Sequence, residues 1–246
     1  MPVHDLNAQR LYLDAALHAG VEIAASSDQA NYLRNVLRLG AGATILVFNG
    51  RDGEWRATLG WSGKRGVTLV LSEPTRPQTA GPDIDYLFAP LKRARLDYMV
   101  QKAAEMGVRR LAPVLTRHTV AERVNVERMR ANAIEAAEQC GILSVPEICS
   151  PVKLAAALAV WDSRRRLIVC DEGAEVADPL TALRGVSPGP LGVLVGPEGG
   201  FAPEEREMLC AQAYVTRISL GPRILRADTA AVAALALINA TLGDWR

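Results

Sequence analysis

Near the end of the chain two short apolar runs, residues 191–195 (LGVLV) and 214–220 (YVTRISL), each stop at a Gly-Pro step. A brief run rich in Val, Ile and Leu that ends this way reads as a buried strand cut off by a sharp turn. This pair constrains the architecture more than any other feature. It implies two loops, residues 196–200 (GPEGG) and 221–226 (GPRILR), leaving the ends of two sheet strands. In open α/β sheets, ligands sit outside the carboxyl ends of the strands. Gly196, Gly199 and Gly200 let backbone approach a ligand closely or adopt positive φ. The pattern alone is equally compatible with two tight turns and nothing more.

The region before these loops has two textures. Residues 1–72 are β-rich, with strands expected at VEIAA, ATILVFNG, residues 54–59 and GVTLVLSEP. One helix is expected over residues 28–39, with Asp28 near its N-cap. Arg34 and Arg38 are four apart and would share a face of it. That face is either ordinary solvated surface or a pair of phosphate contacts. Residues 73–83 (EPTRPQTAGPD) carry three prolines and a glycine, which marks a linker and a domain boundary. Residues 84–246 alternate strands with helices, which implies an α/β domain with a mainly parallel sheet covered on both faces.

Composition excludes several classes. Of 246 residues, 28 are Lys or Arg and 27 Asp or Glu, so the net charge of +1 gives no global polycation. The four cysteines (Cys140, Cys149, Cys170, Cys210) form no CxxC pair, which argues against disulfides or zinc and for a reducing cytosol. No metal is expected. The N-terminus shows no apolar signal segment. Residues 227–243 are the most apolar stretch, but they include Asp228, Thr229 and Asn239 and read as a buried helix, not a membrane span. The turn after the first strand of the second domain, residues 90–94 (PLKRA), has no glycine, so the dinucleotide fingerprint is absent. No GxxxxGK[ST], HExxH or GxSxG motif occurs.

Several segments together resemble one family: YLRNVLRL, QKAAEMGVRRLAPVLTRHTV, RMRANAIEAAEQCG followed by VPE, LVGPEGGFAPEE and SLGPRILRADTAAVAALAL. The chain is similar to the RsmE family of 16S ribosomal RNA uridine N3-methyltransferases, within the SPOUT superfamily. It departs from the family pattern at Asp228, where many members have Glu. The resemblance implies a C-terminal SPOUT domain with a trefoil knot, an N-terminal PUA-like β-barrel that binds RNA, and S-adenosyl-L-methionine as methyl donor. It also implies a 16S rRNA or small-subunit substrate and a homodimer formed through the C-terminal domain.

By carry-over, three loops would hold the donor. They comprise Asp171, Glu172 and Gly173; Val195, Gly196, Glu198, Gly199 and Gly200; and Leu220, Gly221, Arg223, Ile224 and Leu225. Ile224 and Leu225 either sandwich the adenine or pack in the core. Arg223 is assigned to a phosphate or an ion pair. Arg226 would stabilise the developing uracil anion or bind a phosphate. Asp228 would accept the N3 proton or cap the last helix. Arg10, Arg34, Arg38, Lys92 and Arg93 are the expected RNA contacts. The last helix is apolar nearly all round, which fits either a dimer interface or burial within its own subunit. Two other readings stay open: a SPOUT enzyme acting on another RNA position or atom, and a non-catalytic ribosome-assembly factor.

Overall fold

The computed structural model describes residues 8–63, 66–121, 123–175 and 178–245. The chain forms two compact units, one from residues 1–80 with 137–145 and the other from residues 81–136 with 146–246.

The first unit is a five-stranded sheet. Its strands are β1 (Arg10–Tyr12), β2 (Glu22–Ala24), β3 (Thr44–Phe48), β4 (Glu54–Ser62) and β5 (Gly66–Arg76), in the order β1-β3-β4-β5-β2. No ladder joins β1 to β2 among the described residues, so hydrogen bonding does not close the sheet into a ring. Alternation puts Ala57 and Leu59 of β4 and Val67, Leu69 and Leu71 of β5 into one core with Leu11, Leu33 and Val47.

Two expectations are corrected here. The helix begins earlier and stops sooner: α1 (Ser27–Asn31) is capped by Ser26, whose hydroxyl takes the Gln29 N–H while the Gln29 side chain takes the Ser26 N–H. It continues as a single π-helical turn, Tyr32–Val36, and Arg38 has φ 54°, past its end. Arg34 and Arg38 therefore do not share a regular helix face. Second, residues 73–76 belong to β5, not to a linker. The buried Glu54 carboxylate draws them in, accepting from Thr75 Oγ1 at 2.8 Å and Arg76 Nε at 2.9 Å. A bulge at Trp55 accommodates Pro74 in the ladder. Residues 137–145 complete this unit: Ala137 and Leu143 pack on Phe48, and Gly141 O accepts from Arg76.

The second unit is a parallel sheet built from β6 (Ile84–Phe88), β7 (Arg110–Leu115), β8 (Glu147–Ile148), β9 (Val152–Lys153), β10 (Arg166–Cys170), β11 (Leu191–Val195) and β12 (Val215–Ile218). Its order is β12-β10-β11-β6-β7-β8, with β9 also on β7. The helices are α2 (Arg93–Glu105), α3 (Val126–Cys140), α4 (Leu154–Ala159), α5 (Pro179–Arg184), α6 (Pro203–Cys210) and α7 (Ala227–Thr241). β6 and β11 are buried at every residue, as a strand covered on both faces must be. One core packs α2, α3, α5 and α7 on one side of the sheet; a second gathers Leu154, Leu158, Phe201 and Leu209 on the other. α5 and β1 are too short to carry a visible period, and pattern reading misses both.

Candidate active site

Parallel register decides where the site falls. Cys170, Val195 and Phe88 lie side by side at the ends of β10, β11 and β6, and Ile218 pairs with Cys170 from β12. The two Gly-Pro loops thus leave one edge of the sheet with only β10 between them, and the β10 loop fills the gap. Together they enclose a cavity of about 280 Å3, near the lower end of small-molecule sites. Asp171, Glu172, Val195, Gly196, Glu198, Gly199, Gly200, Leu220, Gly221, Arg223, Ile224 and Leu225 all line it. Pro197 of the same loop lines it, and so do Cys170, Phe201, Ala227 and Ala230, which were not anticipated. Both alanines come from the first turns of α7, where a small side chain leaves room. Gly221 has φ 100°, a conformation that strains any residue with a Cβ. Leu225 lines the cavity and also packs on the core, whereas Ile224 is 95% exposed.

Gly173 is corrected. It does not line the cavity; its carbonyl accepts from Arg217, and a Cβ there would come 2.9 Å from Arg206 Nη1. Glycine makes room for two guanidinium groups converging on Asp171, which is 4% exposed. Arg217 Nε lies 2.9 Å and Arg206 Nη1 3.3 Å from that carboxylate. Arg206 also pairs with Glu172. Asp171 is therefore an anchor for its loop, and Glu172 is tied beside it. The GPEGG turn is closed by Gly200 N–H donating to Pro197 O at 2.9 Å. Its Gly196 packs on the Phe201 ring, where a Cβ would come within 2.9 Å.

Chemistry at the cavity floor is muted. Burial pushes the Cys170 thiol up to about 12, so it stays protonated and is no nucleophile. The Tyr86 hydroxyl beneath donates to Met99 Sδ at 3.2 Å and is held protonated chiefly by burial, with the Asp228 charge adding to it. Arg226 is exposed at the N-cap position of α7, and Asp228 is half-buried in its first turn. Neither lines the cavity, although Ala227 between them does. Asp228 is not the N-cap; its Oδ1 accepts from Thr229 N–H at 2.9 Å.

A larger cavity, about 1230 Å3, adjoins the first and shares Pro197 and Glu198 with it. Lys92 and Arg93 line it, joined by Arg95, Arg123 and Arg128. Arg95 pairs with Glu198, and Arg128 with Asp97 at 2.7 Å. These last three cations went unnoticed because the helices bearing or flanking them were read only for their apolar faces. In the first unit, Arg10 is withdrawn as a phosphate contact: it is 8% exposed and its Nε lies 3.0 Å from Glu54. Arg34 is half-buried, with its guanidinium 4.7 Å from the Trp61 ring centroid, and Arg38 is exposed. Among the described residues no group of His, Cys, Asp and Glu could hold a metal ion.

Comparison with known proteins decides the family. An RNA methyltransferase domain model matches residues 79–239, and an RNA methyltransferase PUA domain model matches residues 26–72. The chain is 30% identical over 231 residues to ribosomal RNA small subunit methyltransferase E of Rickettsia conorii, covering 94% of each chain. The chain belongs to the ribosomal RNA small subunit methyltransferase E family. The Bacillus subtilis member is 27% identical over 226 residues, 87% of this chain and 88% of that one. The crystal structure of the Neisseria gonorrhoeae member, bound to S-adenosyl methionine, superposes with a TM-score of 0.87 at 26% identity, over 97% of this chain and all of that one. The methyltransferase E family thus accounts for both units of the fold, the PUA-like one and the parallel α/β one.

Proposed function

We propose that this chain transfers a methyl group from S-adenosylmethionine to N3 of a uridine in 16S rRNA of the small ribosomal subunit. One observation carries the reading: the three loops build a single cavity that opens beside a larger, cation-lined one and shares Pro197 and Glu198 with it. The cofactor supplies an electrophilic methyl on a sulfonium. The cavity suits such a ligand. Its walls are loop backbone, glycines and alanines, with Leu220, Ile224 and Leu225 as the apolar part.

The remaining chemistry belongs to the chain's own residues. N3 lies on the Watson–Crick edge, so the base must be unpaired to be reached. Lys92, Arg93, Arg95 and Arg123 hold the RNA backbone beside the cofactor cavity. Arg226 stabilises the negative charge that develops on uracil, and Asp228 takes the N3 proton; its shorter side chain reaches less far than the more common Glu. No covalent enzyme intermediate is required, so most of the rate gain comes from alignment and one placed charge. The first unit supplies further phosphate contacts through Arg34 and Arg38. Residues 1–72, 73–83 and 84–246 remain our division into RNA-binding domain, linker and catalytic domain, amended by the strand residues 73–76 and by residues 137–145. We also take the C-terminal segment to be threaded as a trefoil knot, the enzyme to be a homodimer through its C-terminal domain, and its place to be the cytoplasm. Among the described residues no helix is long and apolar enough to cross a membrane.

The test is incubation with labelled cofactor and small subunits lacking the modification, followed by mass spectrometry of digested rRNA. The expected product is a single N3-methyluridine. A ribose-methylated nucleotide would redirect the chemistry. Tight cofactor binding with no methyl transfer would instead make the chain a non-catalytic assembly factor. Arg226→Ala should leave the cofactor Kd within about twofold while lowering single-turnover rate by about a hundredfold or more, the scale of a lost charge-stabilising donor. An unchanged rate would remove Arg226 from the mechanism.

A further inference from the structure

We infer that His118 is a positioning residue for the glycine turn of the cofactor cavity, acting through a forked hydrogen bond to the carbonyls of Gly199 and Gly200. The inference rests on the cofactor reading above. His118 Nδ1 lies 3.2 Å from Gly199 O and 3.1 Å from Gly200 O. Both oxygens can only accept, so Nδ1 carries the proton.

The turn that bears His118 is itself held. Thr119 N–H donates to Thr116 O at 3.2 Å, and Thr116 N–H to Thr119 Oγ1 at 2.8 Å. Next to the histidine, Arg117 N–H donates to Glu205 Oε1 at 2.8 Å, while Glu205 Oε2 accepts Ala202 N–H at 3.0 Å. Residues 199–202 are therefore gripped at both ends from one short turn, by an imidazole on one side and a shared carboxylate on the other.

The glycine turn needs such a grip. Gly199 and Gly200 have no side chains with which to hold themselves, and glycine loses the most conformational freedom on ordering. The His118 Cβ stands 3.4 Å from where a Gly199 Cβ would be, so the histidine also packs against the turn. Ordering the turn before the ligand arrives lowers the cost of binding. His118 lines neither cavity. Its effect falls on cofactor affinity and leaves the chemical step alone.

Calorimetric titration of the full-length protein with S-adenosylmethionine tests this. His118→Ala should raise Kd about threefold to tenfold, the range for one or two neutral hydrogen bonds, with Tm unchanged. The cofactor KM should rise in parallel, with kcat at saturating cofactor preserved. His118→Asn places an amide nitrogen close to the Nδ1 position and should restore Kd to within about twofold. His118→Gln places it nearer Nε2 and should bind as weakly as His118→Ala. Wild-type Kd in His118→Ala, or no rescue by His118→Asn, overturns the inference while leaving the methyltransferase reading intact. Failure of the wild-type protein to bind S-adenosylmethionine overturns both.

Discussion

Glu54 shows what a single side chain can demand of its surroundings. Its carboxylate is 2% exposed and meets Arg10, Thr75 and Arg76. Burial alone would push its pKa up. The hydrogen bonds from Arg76 and Thr75, the Arg76 charge and the Arg10 hydrogen bond together outweigh it and hold the group below its ordinary 4.5. A depressed folded pKa means stability that is fully present above the unfolded value and is lost as pH falls through the folded one. Glu54→Ala should cost about 3–5 kcal/mol near neutrality, because it removes the carboxylate from a buried ion pair. Urea titrations of both proteins at a series of pH values give the check, and the gap between them should narrow below about pH 4. A gap independent of pH would mean that Glu54 contributes by packing alone. None of this was legible in the sequence. Arg10 resembled a phosphate contact because nothing in a linear pattern reveals that a charge will be buried against a partner 44 positions away. The positions of the glycine turns were legible, since Gly-Pro after a short apolar run marks the end of a strand.

At the scale of elements, α7 resolves an ambiguity by having two faces. Ala230, Ala231, Ala234, Leu235, Ile238 and Asn239 are buried, and the helix packs on α2, α5 and β11. Val232, Ala233 and Ala236, at helical spacing, are only half-buried. Burial within the subunit is thus observed, with a half-buried apolar stripe beside it. Sequence showed an apolar helix all round and could not divide it, because its small residues give almost no period. If this stripe forms the two-fold contact, Ala236→Arg should convert the dimer to monomer in sedimentation velocity while leaving Tm of the subunit nearly unchanged. A dimer that survives places the interface elsewhere. Longer elements were legible for the opposite reason: β11 is a continuous apolar run, β6 and β10 are broken only by Asp85 and Arg166, and α2 and α3 have clear periods. The Ser26 cap and π-helical turn were not, since Asp28 offers an equally good capping residue two positions too late.

For the molecule as a whole, the question is how a chain of net charge +1 holds a polyanion. On the proposed reading, local clustering supplies the answer. Lys92, Arg93, Arg95, Arg123 and Arg128 line one cavity, although Arg95 and Arg128 already have carboxylate partners in Glu198 and Asp97. The Asp97 pairing is firm enough that the Arg128 hydrogen bond holds this carboxyl below its usual range. The unit matched by the PUA model places the Arg34 guanidinium over the Trp61 ring, and we propose it as a second phosphate contact. Each phosphate neutralised releases condensed counterions, so affinity should fall with salt at about 0.7–0.9 log units per log unit for each contact. Lys92→Ala with Arg93→Ala should therefore flatten the slope by about 1.5, and Arg34→Ala with Arg38→Ala by a similar amount. Arg10→Ala should lower stability and leave the slope of the folded protein unchanged, because its charge already belongs to Glu54. Filter binding of rRNA fragments across a salt series reads all three. A slope that shifts with the first pair and not the second would confine RNA binding to the cavity beside the cofactor loops. It would also leave the Arg34–Trp61 stack as a support for its own sheet.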